Sequence, residues 1–484
     1  MSELTALQPQ RLWKFFDDLR QIPRPSGQEE KVADYLVKFA KDHNLDYKKD
    51  DVGNVLITHP GSKGYESSPT VVLQAHTDMV CEKNSDVDFD FDKDPIKVKI
   101  EDNWVTADGT TLGADNGIGV AAALAILEDD SLTHGPLEAL FTVDEERGLI
   151  GAVSVPTDWL KGRKLINLDS EDIGLFSIGC AGGADSHVTL PVKRRAPKGS
   201  QALKVHVSGL RGGHSGIDIH EGRGNAVKIL NRLLYQLNKD IDLELASLNG
   251  GDKHNAIPRE AVAHIVVADQ DADSATEKLN AAIEEIKTEF HPVEEHINLT
   301  VEPVNTGLQV LDPESQDVLM ALIFAYPHGV LAMSRTIDGL VETSNNVASV
   351  KTSDQEVKLH LSARSSNDAA LQATLDKFVA ITKLANAEIE QPEGYPGWMP
   401  DVDSEILKIA MDTYKQVTGE NAQYEAIHAG LECGLIGEKF DGMDMISVGP
   451  TLKHPHSPDE RVDIETVDVF YKHVLRMLEV LASQ

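Results

Sequence analysis

At 484 residues the chain is longer than one ordinary domain, so two domains are expected. Its 45 basic and 79 acidic residues leave a net charge of -34, which excludes nucleic acid as partner, because a phosphate backbone needs a basic face. A composition of 41% apolar and 26% charged residues, with no apolar run of membrane-spanning length, is that of a soluble globular protein with no membrane partner.

The start, "MSELTALQPQRLWKFF", lacks the long apolar core of a signal peptide, so a cytoplasmic location is expected. Cys81, Cys180 and Cys433 are scattered and form no C-x-x-C pair, which fits a reducing compartment without disulfides. "EEKVADYLVKFAKDH" carries Val32, Tyr35, Leu36 and Phe39 on one helical stripe. "NVLITHP" and "TVVLQAH" then read as strands, "GIGVAAALAILED" as a buried Ala-rich helix, and "LEALFTVDEE" and "KLINLDSED" as further strands. Helices between short apolar strands predict an α/β fold with a mainly parallel mixed sheet.

From about residue 186 the texture changes. "ALKVHVSGL" predicts a strand, "NAVKILNRLLYQL" a helix, and "HIVVADQDADSATEKLNAAIEEIKTEF" a strand followed by a helix. "NNVASVKTSDQEVKLHLSARSS" reads as two strands joined by a polar turn. This is the pattern of an inserted α+β domain, assigned to 186–392, between two parts of the first domain, 1–185 and 393–484. The Pro- and Gly-rich "QPEGYPGWMPD" reads as a hinge or linker. "SEILKIAMDTYKQV", "DMISVGP" and "VDVFYKHVLRMLEVLA" then return to the α/β texture as helix, strand and helix.

Several strands of the first domain stop at metal-ligand residues. One ends at His76-x-Asp78, another leads to Glu145-Glu146, a third to Asp169, and the last to His454 and His456; the loop "DGTTLGADNGIG" adds Asp115. In open parallel sheets ligands gather beyond the carboxyl ends of the strands, so these residues would meet in one crevice. Each has an ordinary alternative: an H-x-D turn, a solvated Glu pair, an Asp N-cap, a loop histidine. Together they are suited to Zn²⁺, Mn²⁺ or Co²⁺. Three carboxylates and two histidines exceed the needs of one ion and match two ions roughly 3.5–4 Å apart that share a carboxylate. Asp78 is better placed to orient His76 than to bind metal itself. Glu145 and Glu146, adjacent on an extended or turning segment, should diverge, leaving one as ligand and one as general base. "GIGVAA" fits the dinucleotide fingerprint G-x-G-x-x-A, but polar, turn-like residues precede it where that fingerprint needs a strand.

In order and wording, "HTDMV", "GADNGIG", "DEERG", "LDSED" and "PHSPDE" resemble the co-catalytic zinc peptidases related to aminoacylases and carnosinases. "CAGG", "GGHSG", "NAIPREA", "YPGW", "HAGLECG" and "GPTLKHPHSPDERV" extend the likeness, to the dipeptidases of that family, over essentially the whole chain. The resemblance implies a zinc-peptidase-like catalytic domain and a lid that also dimerises. It implies His76 and Asp169 on one ion, Glu146 and His456 on the other, Asp115 bridging, Asp78 orienting His76, and Glu145 as general base. It further implies His214 as donor to the developing oxyanion, and Asn255 and Arg364 as substrate contacts, Arg364 to the free carboxylate. The expected activity is hydrolysis of unblocked dipeptides, including Xaa-His dipeptides such as carnosine, by a hydroxide shared between two metal ions, in a homodimer. An N-acyl amino acid deacylase and a metal-bound peptide-binding protein without turnover are the alternatives. Asp144 and Arg147 depart from the family pattern around the glutamate pair.

Overall fold

Four short strands, Val71–His76, Leu137–Thr142, Lys164–Asn167 and Asp444–Ser447, lie side by side and parallel. Their residues are buried almost without interruption, as expected of strands covered on both faces by helices. Because they run in one direction, the segments that continue from them all emerge at one edge of the sheet. The full sheet has eight strands and is mixed. Leu137–Thr142 continues antiparallel to Val55–His59 and then Asp46–Lys49, and on the other side Leu175–Cys180 is antiparallel to Asp444–Ser447. The expected parallel character therefore belongs to the centre of the sheet.

The computed structural model describes residues 3–305 and 307–484. It divides into two compact units: Met1–Cys180, Trp398–Ala426 and Leu431–Gln484 form one, and Ala181–Gly397 with Ile427–Gly430 the other. In the first unit the Ala114–Glu128 helix is buried all round, and its run of alanines lets backbone pack closely where larger side chains would overfill the core. The helix Gln10–Leu19 buries Leu12, Trp13, Phe15, Phe16 and Leu19 on one face, each worth about 1.5–3 kcal/mol on removal from water. Asp463 caps the long helix Ile464–Ala482 by accepting from the Thr466 N–H at 2.9 Å. Among the described residues no helix is long and apolar enough to cross a membrane.

The second unit is built on a nine-stranded sheet. Its centre is the hairpin Val341–Thr352 and Glu356–Ser365, followed by Gly182–Pro191, all antiparallel. Along Gly182–Pro191, Ala184, Ser186, Val188 and Leu190 are buried, while Asp185, His187 and Thr189 turn to the more open face, the period of two that a one-sided core imposes. The helices Ala226–Leu237, Ala272–Phe290, Pro313–Ala325 and Asp368–Leu384 supply the other half of that core.

The Pro- and Gly-rich stretch read as a hinge or linker contains the boundary between the units, at 397/398, and is pinned by backbone pairing. Tyr395 exchanges hydrogen bonds with Gly183 at 2.9 and 3.0 Å, and Trp398 does so with Cys180 at 2.9 Å. A Cβ at Gly182 would stand 2.5 Å from the Gly397 nitrogen, so only glycine permits this approach.

Candidate metal centre

His76 is the last residue of its strand, and Asp78, Glu145, Glu146 and Asp169 lie two to four positions beyond the ends of the parallel strands. Asp115 comes from the start of the Ala114–Glu128 helix, where Gly113 has φ 72° and Asp115 itself is not helical (φ -78°, ψ 112°). The Asn116 side chain anchors this start by donating to the Leu168 carbonyl at 2.8 Å, next to Asp169.

Of the four donor groups among the described residues, two are built on Asp115. His76, Asp115 and Asp169 place ligand atoms within 4.8 Å of one another, and so do Asp115, Glu146 and His456. Asp115 belongs to both: its Oδ1 lies 3.0 Å from His76 Nε2 and its Oδ2 3.0 Å from His456 Nε2. Asp169 Oδ1 is 3.5 Å from His76 Nε2, and Glu146 Oε1 is 3.0 Å from His456 Nε2. One carboxylate thus faces two ways, toward two separate nitrogen donors. His454, two residues before His456, joins neither of these triads.

Asp78 sits behind His76, wholly buried. The imidazole Nδ1–H donates to Asp78 Oδ1 at 3.2 Å, which leaves Nε2 facing the carboxylates. Asp78 also accepts the backbone N–H groups of Glu145 at 3.0 Å and Glu146 at 3.2 Å. Burial alone would raise its pKa, but the bonds from His76, Ser26 and Glu145 bring it down to about 2. This carboxylate therefore holds both the His76 imidazole and the glutamate pair.

The glutamates do not diverge as an extended segment would make them. Asp144 has φ 52°, so the chain turns, and Glu145 and Glu146 both bring an oxygen within 4.8 Å of His76 and of each other. Glu29, which carries no signal in the sequence, accepts the Asp144 N–H at 2.9 Å and holds this turn. Asp144 and Arg147, the residues that depart from the family pattern, pair with each other at 2.6 and 2.7 Å. Arg147 is largely exposed, so the pair shapes the turn and adds little stability.

The donor set fits divalent cations. The ion-pair partners of these carboxylates among the described residues are imidazoles, with the Arg24 guanidinium acting on Asp115 from farther off. Burial pushes Asp169 up to about 6, with the charges of Asp115 and Glu146 adding to it against His76. Burial likewise pushes Glu145 well above the ordinary range, opposed by His76 and reinforced by Asp169, Glu432 and Glu146. Crowded negative charge of this kind needs a positive counterpart, and two histidine nitrogens with three carboxylates are borderline-to-hard ligands.

The other three expected residues lie in the second unit. The segments of His214 and Asn255 pair: the Ser215 N–H donates to the Asn255 carbonyl at 2.8 Å, and the Ile257 N–H to the Gly213 carbonyl at 2.8 Å. His214 Nδ1 accepts from the N–H groups of Gly216 at 3.1 Å and Ile217 at 3.0 Å. The ring is neutral, its pKa lowered to about 4 by burial and then by the charge of Arg364. With Nδ1 occupied as acceptor, the single ring proton is on Nε2, which makes that atom a donor. Arg364 is 7% exposed; it donates to the Tyr395 hydroxyl at 2.8 Å, while its Nε finds no hydrogen-bond partner. No carboxylate of the described chain pairs with it, an expensive condition for a buried cation. His428, within "HAGLECG" but without an expected role, adjoins this group and is buried with its Nε2 at 2.7 Å from Ser344 Oγ.

The model of "Peptidase family M20/M25/M40" matches residues 72–480. The chain is 43% identical over 485 residues to the cytosol non-specific dipeptidase of Escherichia coli (strain K12), covering all of both sequences. It is similar to the crystal structure of aminoacylhistidine dipeptidase from Vibrio alginolyticus, with a TM-score of 0.92, 44% identity and coverage of 99% and 98% of the two chains. A yeast structure, the di-peptidase Dug1p of Saccharomyces cerevisiae, shares the fold at a TM-score of 0.53 and 15% identity over 99% and 97% of the chains. A model match over most of the chain and end-to-end identity of this order leave one conclusion: the chain belongs to peptidase family M20/M25/M40.

Proposed function

We propose that this chain hydrolyses the peptide bond of unblocked dipeptides, including Xaa-His dipeptides such as carnosine, and does so in the cytosol. The observation that carries the reading is Asp115, whose two oxygens each face a histidine nitrogen at 3.0 Å. The names of the two full-length relatives support the substrate class.

His76 and Asp169 would hold one ion, Glu146 and His456 the other, with Asp115 between them and Asp78 orienting His76. Two divalent ions, zinc first and manganese or cobalt as alternatives, supply Lewis acidity and lower the pKa of a bound water. Glu145 takes the proton of the attacking water and delivers it to the nitrogen of the leaving amine. His214 Nε2–H is the donor for oxygen charge that develops in the transition state. The Arg364 fork pairs with the free carboxylate of the substrate, and Asn255 contacts the substrate beside it. The inserted segment 186–392 carries these recognition residues and, in this reading, the homodimer contact; Tyr235 and Phe324 form an exposed ring pair there, centroids 5.2 Å apart.

The test is turnover of β-Ala-His, its C-terminal amide and N-acetyl amino acids by purified protein, before and after chelation. Turnover of β-Ala-His that is lost on chelation and restored by zinc, manganese or cobalt is expected, with the amide at least tenfold poorer. Hydrolysis of the acetylated compounds alone would make the chain a deacylase. Tight binding of dipeptide without turnover would make it a binding protein.

A further inference from the structure

Glu460 lies four residues beyond His456 and is 2% exposed. Its carboxylate accepts four successive backbone N–H groups: Leu112 at 2.7 Å and Gly113 at 3.0 Å on Oε2, Ala114 at 2.8 Å and Asp115 at 3.3 Å on Oε1. Successive amides aimed at one point form an anion-binding concavity, here filled by the protein's own side chain. The same turn is gripped from its carbonyl side by buried Arg24, which donates to the Gly113 carbonyl and, at 3.0 and 2.8 Å, to the carbonyls of Thr77 and Asp78. The Thr106 hydroxyl holds the Glu460 backbone by donating to its carbonyl at 2.9 Å.

This connects parts distant in sequence. The 112–115 turn bears the residue shared by both triads, and the segment that ends in Glu460 bears His456. One carboxylate therefore sets the spacing between two donors of the same triad. We infer that Glu460 is a positioning residue: it fixes the backbone from which Asp115 faces both ion sites, and so governs metal affinity. The inference rests on the ligand set proposed above. A glutamine at 460 keeps the shape but offers one acceptor oxygen, and turns an NH₂ group against two N–H donors that have no other partner.

The experiment is Co²⁺ titration of the metal-free, full-length protein by calorimetry and visible absorption, with thermal melts and steady-state kinetics. Glu460→Gln, in a folded protein, is expected to bind Co²⁺ about 10–100-fold more weakly. Its ligand-field spectrum should be altered and kcat reduced, with KM near the parent value; Glu460→Asp, which keeps the charge, should recover part of the affinity. Parental affinity and spectrum in folded Glu460→Gln would overturn the inference. So would failure of both variants to fold, which would make Glu460 a residue of general stability. Asp115→Asn is the control. Weak binding there with parental binding in Glu460→Gln removes this inference alone, whereas parental binding in both removes the ligand set itself.

Discussion

Glu145→Gln and Glu145→Ala are expected to retain both metal ions and to lose about 10²–10⁴-fold in kcat, the contribution of a well-placed general base. Retention comes from how the turn is held. Asp78 accepts the main-chain N–H groups of residues 145 and 146, and Glu29 that of 144, and none of these bonds involves the Glu145 side chain. Glu146 and His76 therefore stay in place when the Glu145 carboxyl is removed. Neither triad built on Asp115 contains Glu145. The loss is of a half-buried carboxyl beside His76 and Glu146, the group proposed to carry a proton from water to amine. Metal content by atomic absorption and kcat on β-Ala-His, measured on the same preparation, check this. A near-parental rate would remove Glu145 from the mechanism, and a loss of metal in parallel with rate would make it a ligand.

Asp115→Ala is expected to have the larger effect on binding. Each triad would be left with one nitrogen and one carboxylate, Asp169 beside His76 and Glu146 beside His456. Removal of an outer partner of a ligand histidine costs 10–100-fold in affinity, so loss of a carboxylate common to both ions should exceed 100-fold for each. Activity should fall below detection. The fold should survive, because the bond from the Asp115 N–H to Glu460 needs no side chain. Equilibrium dialysis against buffered zinc, with a thermal melt of the metal-free protein, measures the two effects separately. Parental affinity for one of the ions would show that Asp115 does not bridge.

The two effects differ because Asp115 belongs to both of those triads and Glu145 to neither. His76, Asp169 and the glutamate pair are legible in the sequence because buried parallel strands are nearly continuous apolar runs, and the residues just past their carboxyl ends must share one edge. The hairpin at 341–365 is legible as two strands on either side of a polar turn. The turn at Asp144 is not: a left-handed residue leaves no reliable mark unless it is glycine, so the sequence suggests diverging glutamates where the structure has them converge. Nor are Arg24, Glu29 and Glu460. In a chain with 26% charged residues a buried charge looks like a solvated one, and only the fold shows that Arg24 and Glu460 close on the same turn. The stretch 391–401, read as a hinge or linker, does hold the boundary between the two units, at 397/398, while its pairing with 180–183 is not legible, since proline and glycine mark both loose linkers and segments pinned by close backbone approach.

The proposed chemistry depends on two cations sharing Asp115, and anomalous diffraction at the zinc edge from crystals of the zinc-loaded protein tests this most directly. Two peaks roughly 3.5–4 Å apart are expected, one beside His76 and Asp169, the other beside Glu146 and His456, with an oxygen of Asp115 on each. A single peak, or peaks away from Asp115, would contradict the proposed sharing.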